Sequence, residues 1–256
     1  MLSGKIALVS GASRGIGQAI ALELGRHGAT VIGSATSSEG AARVSAYLAA
    51  ASIKGEGAVL EVRDQAQIDA LIAHIENTFG TIAILVNNAG VTRDNLAMRM
   101  KDDEWDAVLD TDLTAVFRLS KAVMRGMMKA RAGRIINVTS VVGHSGNAGQ
   151  ANYCAAKAGV FAYGEALRAA LRGDGVKVCL VLPGYFDTAL DAHWTGAKPM
   201  TMPLAAMADR VTAALRAGRG RSFIPWRLGL LLRVLALLPS SLGDRLIGLQ
   251  RLIYRP

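Results

Sequence analysis

Short apolar runs alternate with longer amphipathic stretches along most of this chain, and that alternation limits the fold more than any other feature. Ile6–Val9, Val31–Gly33, Ala58–Val62, Ile84–Val86, Arg134–Val138 and Val176–Leu182 read as short buried strands. Between them, Ile16–Arg26, Gly40–Ala51, Gln65–Phe79, Asp102–Ala130 and Ala151–Arg172 carry helical patterns. Strands that are apolar throughout must be covered on both faces, so the pattern implies βαβ units and a parallel sheet between two helical layers. Right-handed crossovers then give a single doubly wound α/β domain of the Rossmann type over residues 1–256, whose ligands bind beyond the carboxyl ends of the strands.

Composition agrees. The chain has 256 residues, 51% of them hydrophobic, which is enough for one large core. Two cysteines, Cys154 and Cys179, form no disulfide framework and point to a reducing cytoplasm. The first residues run directly into a strand pattern and read as a chain without a signal peptide. The four histidines are scattered and show no metal spacing, so no metal is expected. The net charge of +9 is uneven: from Arg216 to Pro256 eight arginines face one acid, Asp244. The body is nearly neutral, which argues against a nucleic-acid footprint.

The first strand leads into Ser10-Gly11-Ala12-Ser13-Arg14-Gly15-Ile16-Gly17. Glycines there let the backbone approach a pyrophosphate, and the helix that follows points its free N–H groups at the negative charge. A glycine trio is a weak signal alone and a strong one between a first strand and a first helix. The second strand runs out as Ile32-Gly33-Ser34-Ala35-Thr36-Ser37, without the acid that would bond a ribose 2′-hydroxyl. Arg14, Thr36 and Ser37 would instead meet a 2′-phosphate with donors and no repulsion, which favours NADP(H). Tyr153 and Lys157 stand four apart in Asn-Tyr-Cys-Ala-Ala-Lys-Ala-Gly, a spacing that fits an acid and its activator or two ordinary residues on one helix face.

Four motifs in order make the chain resemble the short-chain dehydrogenase/reductase family. They are the glycine loop with Ser10 in the place of a Thr, Asn87-Asn88-Ala89-Gly90, the set Ser140, Tyr153 and Lys157, and Pro183-Gly184. Residues 1 to about 160 are similar to one branch, the β-ketoacyl-[acyl-carrier-protein] reductases. The resemblance implies reduction of a β-ketoacyl thioester, on acyl carrier protein or CoA, to the β-hydroxyacyl thioester. A carbonyl reductase or alcohol dehydrogenase of another branch, or a catalytically quiet NADP-binding sensor, are the other readings.

The resemblance also implies residue roles. Tyr153 gives the proton. Lys157 holds a positive charge beside it, which favours the phenolate, and bonds the cofactor ribose. Ser140 donates to the substrate oxygen. Gly11, Ser13, Arg14, Gly15, Ile16 and Gly17 bind the pyrophosphate side, with Thr36 and Ser37 at the 2′-phosphate. Glu61 and Val62 lie by the adenine, and Asn88, Ala89 and Gly90 pack against the cofactor. Pro183, Gly184 and Thr188 border the nicotinamide. The family's fourth catalytic position is an Asn that holds a water; here Thr111-Asp112-Leu113 puts Asp112 there. An ionised Asp donates no hydrogen bond, and its charge opposes the effect of Lys157 on Tyr153. A slowed enzyme with a shifted pH profile is expected, or else an Asp112 that simply holds the same water.

Past about Val160 the likeness fades. The end, "GRGRSFIPWRLGLLLRVLALLPSSLGDRLIGLQRLIYRP", has a short strand near Ser222–Ile224 and looks like a different branch, so the chain reads as a hybrid, natural or engineered. Residues 185–256 form its substrate-side segment and tail. The tail reads as a helix capping the substrate pocket or a subunit interface, in preference to an interfacial helix on a membrane surface. Arg131 matches a carrier-protein docking position; Asp174 replaces a second basic one. A homodimer or homotetramer is implied, although the family's tetramer-forming terminus is missing.

Overall fold

The computed structural model describes residues 2–186, 200–235 and 237. Seven parallel strands form one sheet in the order β3-β2-β1-β4-β5-β6-β7. They are β1 (Ile6–Val9), β2 (Thr30–Ala35), β3 (Gly55–Val59), β4 (Ile82–Asn87), β5 (Gly133–Val138), β6 (Val176–Pro183) and β7 (Arg221–Ile224). The helices are α1 (Gly15–Arg26), α2 (Ser38–Ala50), α3 (Gln65–Thr78), α4 (Asp102–Leu109), α5 (Ala115–Lys129), α6 (Val142–Ser145), α7 (Ala151–Ala170), α8 (Leu204–Ala217) and α9 (Trp226–Leu235). The order reverses between β1 and β4, which opens a crevice above their carboxyl ends.

Strand side chains alternate between two cores, as the pleat requires. Ala7 and Val9 of β1 pack with Ile20 and Leu24 of α1, Val44 and Leu48 of α2, and Met207 and Val211 of α8. Ile6 and Leu8 face the other way, toward Ile68 and Ile75 of α3, Leu119 and Val123 of α5, and Leu167 of α7. Each burial of such a side chain contributes about 2 kcal/mol, so a polar residue at either face of β1 would unseat a helical layer.

The structure corrects three details of the expected elements. The third strand is Gly55–Val59, displaced from the apolar run 58–62. That run marks burial, since Leu60 and Val62 join the second core after the strand has ended. The strand itself lies on the sheet edge, where Gly57 leaves the room that the α2 backbone at Ala41 occupies. The long helix over 102–130 is interrupted by a π-helical turn, Asp110–Thr114, between α4 and α5. Finally, α8 had gone unread. Its apolar residues Met207, Ala208, Val211 and Leu215 recur at helical spacing and pack over α1. The expected strand near 222–224 is present as β7, parallel to β6.

Candidate active site

A cleft of about 420 Å³ runs over the carboxyl ends of the strands. Its floor is made by the segments that follow β1, β4, β5 and β6. Hydrogen bonds lock the first two together. The buried Ser10 hydroxyl accepts from the N–H groups of Asn88 and Ala89, both at 3.0 Å, and donates to the Val86 carbonyl at 3.2 Å. The Asn88 side chain donates back to the carbonyls of Ser10 and Gly11. Asn88 therefore acts through its side chain as a clip on the glycine loop.

Gly11 has φ +65°, and a Cβ there would stand 2.9 Å from the Ala89 Cα. Gly17 allows the start of α1 to sit against the Gly11 carbonyl. The first turn of α1 has no side-chain cap and no acid, so its N–H groups are directed at the cleft. Ser34 and Ala35, buried at the end of β2, and the exposed Thr36 bring no carboxylate to the rim. This cradle fits a dinucleotide with a 2′-phosphate.

Of the residues expected at the cofactor, Gly11, Ser13, Arg14, Gly15, Ile16, Gly17, Thr36, Glu61, Val62, Asn88, Ala89, Gly90, Pro183 and Gly184 all line the cleft. Ser37 does not. Its hydroxyl accepts from the Gly40 N–H at 3.1 Å and caps α2, the usual use of a Ser just before a helix. Thr188 lies outside the described residues. Glu61 is bound by Arg63 at 3.0 Å, and the guanidinium holds its carboxyl below the usual range. Arg63 itself borders the cleft, a cation that the sequence reading missed because no motif contains it.

The reacting end is built by α7 and the segment after β5. Asn152, fully buried, donates to the Arg93 carbonyl at 2.9 Å and accepts from the Tyr153 N–H at 2.8 Å, so it fixes the first turn of α7. One turn on, Lys157 is buried with its Nζ 5.4 Å from the centroid of the Tyr153 ring. Nζ donates to the Val138 carbonyl at 3.3 Å, and the Thr139 hydroxyl donates to the Lys157 carbonyl at 2.9 Å. Ser140, Tyr153 and Lys157 open into the same cleft as the glycine loop. Thr92, Arg93, Asn147, Gln150, Tyr185 and Phe186 border this end too. Tyr185 and Phe186 open the segment expected on the substrate side, and the fold identifies the other four.

Asp112 sits in the π-helical turn, completely buried. Its Oδ1 accepts from the Val91 N–H at 2.8 Å, and its Oδ2 lies 3.1 Å from Lys157 Nζ. Gly90 makes this possible, because a Cβ there would stand 2.8 Å from Oδ2. The contact with Lys157 is direct, with no space for a water between the two atoms. Burial pushes the Asp112 carboxyl above its usual range, against the pull of Lys157 and the Val91 N–H. Burial acts to lower Lys157, and the attraction of Asp112 and Tyr153 outweighs it, so the ammonium holds its proton more tightly than usual. A widened turn at a charged buried residue is a recurrent property of functional sites.

Residues 5–198 match the family model described as short chain dehydrogenase, and this match runs well past Val160. The 3-oxoacyl-[acyl-carrier-protein] reductase of Vibrio harveyi is 58% identical over 187 residues, covering 73% of this chain and 75% of that protein. The reductase of the same name from Haemophilus influenzae is 56% identical over 187 residues, covering 73% and 76%. That of Escherichia coli strain K12 is 56% identical over 185 residues, covering 72% and 75%. With the cleft at the strand-order reversal and Tyr153 beside a buried lysine, these matches establish that the chain belongs to the short-chain dehydrogenase family.

Proposed function

We propose that this protein reduces a β-ketoacyl thioester to the β-hydroxyacyl thioester with NADPH. The observation that carries the reading is the placement of Tyr153 and Lys157 in one continuous cleft with the glycine loop. NADPH, when bound, supplies the hydride that goes to the ketone carbon. The chain's own residues do the rest. Ser140 bonds the ketone oxygen and holds it by Tyr153. Tyr153 transfers its phenolic proton to that oxygen as charge develops there. Lys157 stabilises the phenolate left behind until solvent returns a proton. Arg14 and Thr36 hold the 2′-phosphate, with the α1 N-terminus at the pyrophosphate.

Residues 1–256 then act as one Rossmann unit, with 185–256 on the substrate side. The acyl group is carried by acyl carrier protein, the carrier in the names of the relatives above, or by CoA. Arg131 offers a cation for an acidic carrier; its guanidinium also donates to the Gly173 carbonyl at 2.9 Å. A homodimer or homotetramer would use the exposed Phe117 of α5, which meets Tyr163 of α7 edge-on at 6.2 Å. The two cysteines are unpaired, which suits a reducing cytoplasm.

The test follows NADPH oxidation with a short β-ketoacyl thioester. Turnover that falls about 10³-fold in Tyr153→Phe, within the usual range for loss of a general acid, with NADPH affinity retained, is expected. Turnover of unrelated ketones but not the thioester would instead make the chain a carbonyl reductase. Binding of NADPH without turnover on any ketone would make it a sensor.

A further inference from the structure

Helix α9 carries apolar residues on its inner and its outer side. Its inner face is used by the fold. Leu228 is 8% exposed, and a Cβ on Gly184 would stand 2.7 Å from its Cδ2. Gly229 lies against the Phe223 ring. The outer face carries Trp226, Leu230, Leu231 and Val234, continued by Leu237, with exposures of 61, 54, 45, 51 and 85%. Of these five, Trp226, Leu230 and Val234 fall within an arc of roughly 80° at about 100° per residue, with Arg227 at its edge and Leu231 beyond it. None belongs to the three apolar clusters of the described residues. Single exposed apolar residues are ordinary, whereas a continuous stripe that includes a tryptophan marks a contact surface.

Charge says what the contact is with. The only charged side chains of α9 are Arg227 and Arg233. The guanidinium of Arg227 lies 5.9 Å from the centroid of the Trp226 ring, at the edge of the stripe. Arg216 and Arg219 are exposed just upstream, while Arg221 is occupied by Glu165 at 2.8 Å. A second copy of the chain is a poor occupant. Two-fold pairing would set each stripe against itself and bring these arginines toward their own counterparts. A layer of anionic headgroups over acyl chains satisfies both features at once, with apolar residues inserted and arginines reaching the phosphates. A ten-residue helix is too short to span a bilayer, which takes about 20. No helix among the described residues is long and apolar enough to cross a membrane.

We propose that α9 docks the protein on an anionic bilayer surface through Trp226, Leu230, Val234 and Leu237, with Arg227 at the phosphates. The inner side of the same helix leans on Gly184, so the docked surface adjoins the substrate end of the cleft. This proposal is independent of the reaction assigned above.

The full chain is sedimented with vesicles of phosphatidylcholine containing phosphatidylglycerol, and with vesicles of phosphatidylcholine alone. Partitioning at least about tenfold stronger on the anionic vesicles, and weakened severalfold by high salt, is expected. The triple variant Trp226→Ser, Leu230→Gln, Val234→Gln is expected to lose at least about tenfold in partitioning while its reductase rate on a water-soluble substrate is kept. With Trp105 and Trp194 replaced by Phe, Trp226 emission is expected to be quenched by vesicles with brominated acyl chains. That measurement decides the matter if the triple variant fails to fold. Absence of binding, equal binding to neutral vesicles, unchanged binding by the triple variant, or unquenched Trp226 each overturns the proposal. So does a self-associated native species that the triple variant disperses without any lipid binding.

Discussion

The two ends of the cleft are held in opposite ways. At the cofactor end, Ser10 and Asn88 tie the segments after β1 and β4 together by hydrogen bonds between side chain and backbone. At the substrate end, the described start of the segment after β6 has apolar contacts: Gly184 against Leu228, in a cluster with Val141, Leu180 and Leu182. The Gly184 N–H donates to the Ile224 carbonyl of the edge strand at 2.8 Å, and the Pro183 carbonyl accepts from the Val141 N–H at 3.1 Å. Directional bonds fix one geometry and suit a ligand that is always the same. Apolar packing accepts changes of volume, which suits a site that takes acyl groups of different size.

Substitutions at each end can break this contrast. Ser10→Ala leaves two N–H groups without their acceptor and is expected to cost about 3 kcal/mol of stability, with a clear loss of NADPH affinity, read by chemical denaturation and cofactor titration. Leu228→Ala is expected to cost about 2 kcal/mol, raising the KM for the acyl substrate while NADPH affinity holds. If the two variants weaken NADPH equally, the ends are not built differently.

Asp112→Asn probes the point where the ends meet. Because burial raises the Asp112 carboxyl, the native group is protonated at the acid end and gains its opposing charge as pH rises. The variant is therefore expected to match the native rate at low pH and to exceed it severalfold at higher pH, where the native carboxylate opposes the effect of Lys157 on Tyr153. Parallel pH–rate profiles would remove Asp112 from control of the proton donor.

The smallest effect concerns the edge strand. Arg221 and Arg168 hold the Glu165 carboxyl down to about 2 from 4.5. A lowered carboxyl stabilises the fold above its unfolded value and loses that contribution as pH falls from 4.5 toward 2. Glu165→Gln is expected to lower stability by about 1 kcal/mol at pH 7, or about 3 °C in Tm, with the difference vanishing near pH 2. Thermal melts at the two pH values check this.

Much of the sheet was legible because strands buried on both faces leave apolar runs, as in Ile82–Val86 and Val178–Leu182. The edge strand Gly55–Val59 was misplaced because half-exposed, glycine-rich backbone carries no such signature. In the cleft, the glycine loop, Ser140, Tyr153 and Lys157 were readable because close backbone approach and proton transfer admit few residue types. Arg63 and Arg93 were not, since their places depend on how loops from separate strands converge.

By itself, then, the sequence determined the parallel α/β layering and the residues able to do the chemistry, because both are local consequences of side-chain period and chemical type. The tertiary structure alone decided three things. It placed Asp112 in direct contact with Lys157, diverted Ser37 to capping α2, and left one side of α9 bare. The Asp112 contact depends on a distance between segments far apart in the chain, which no local pattern encodes, and the Ser37 cap on where α2 begins.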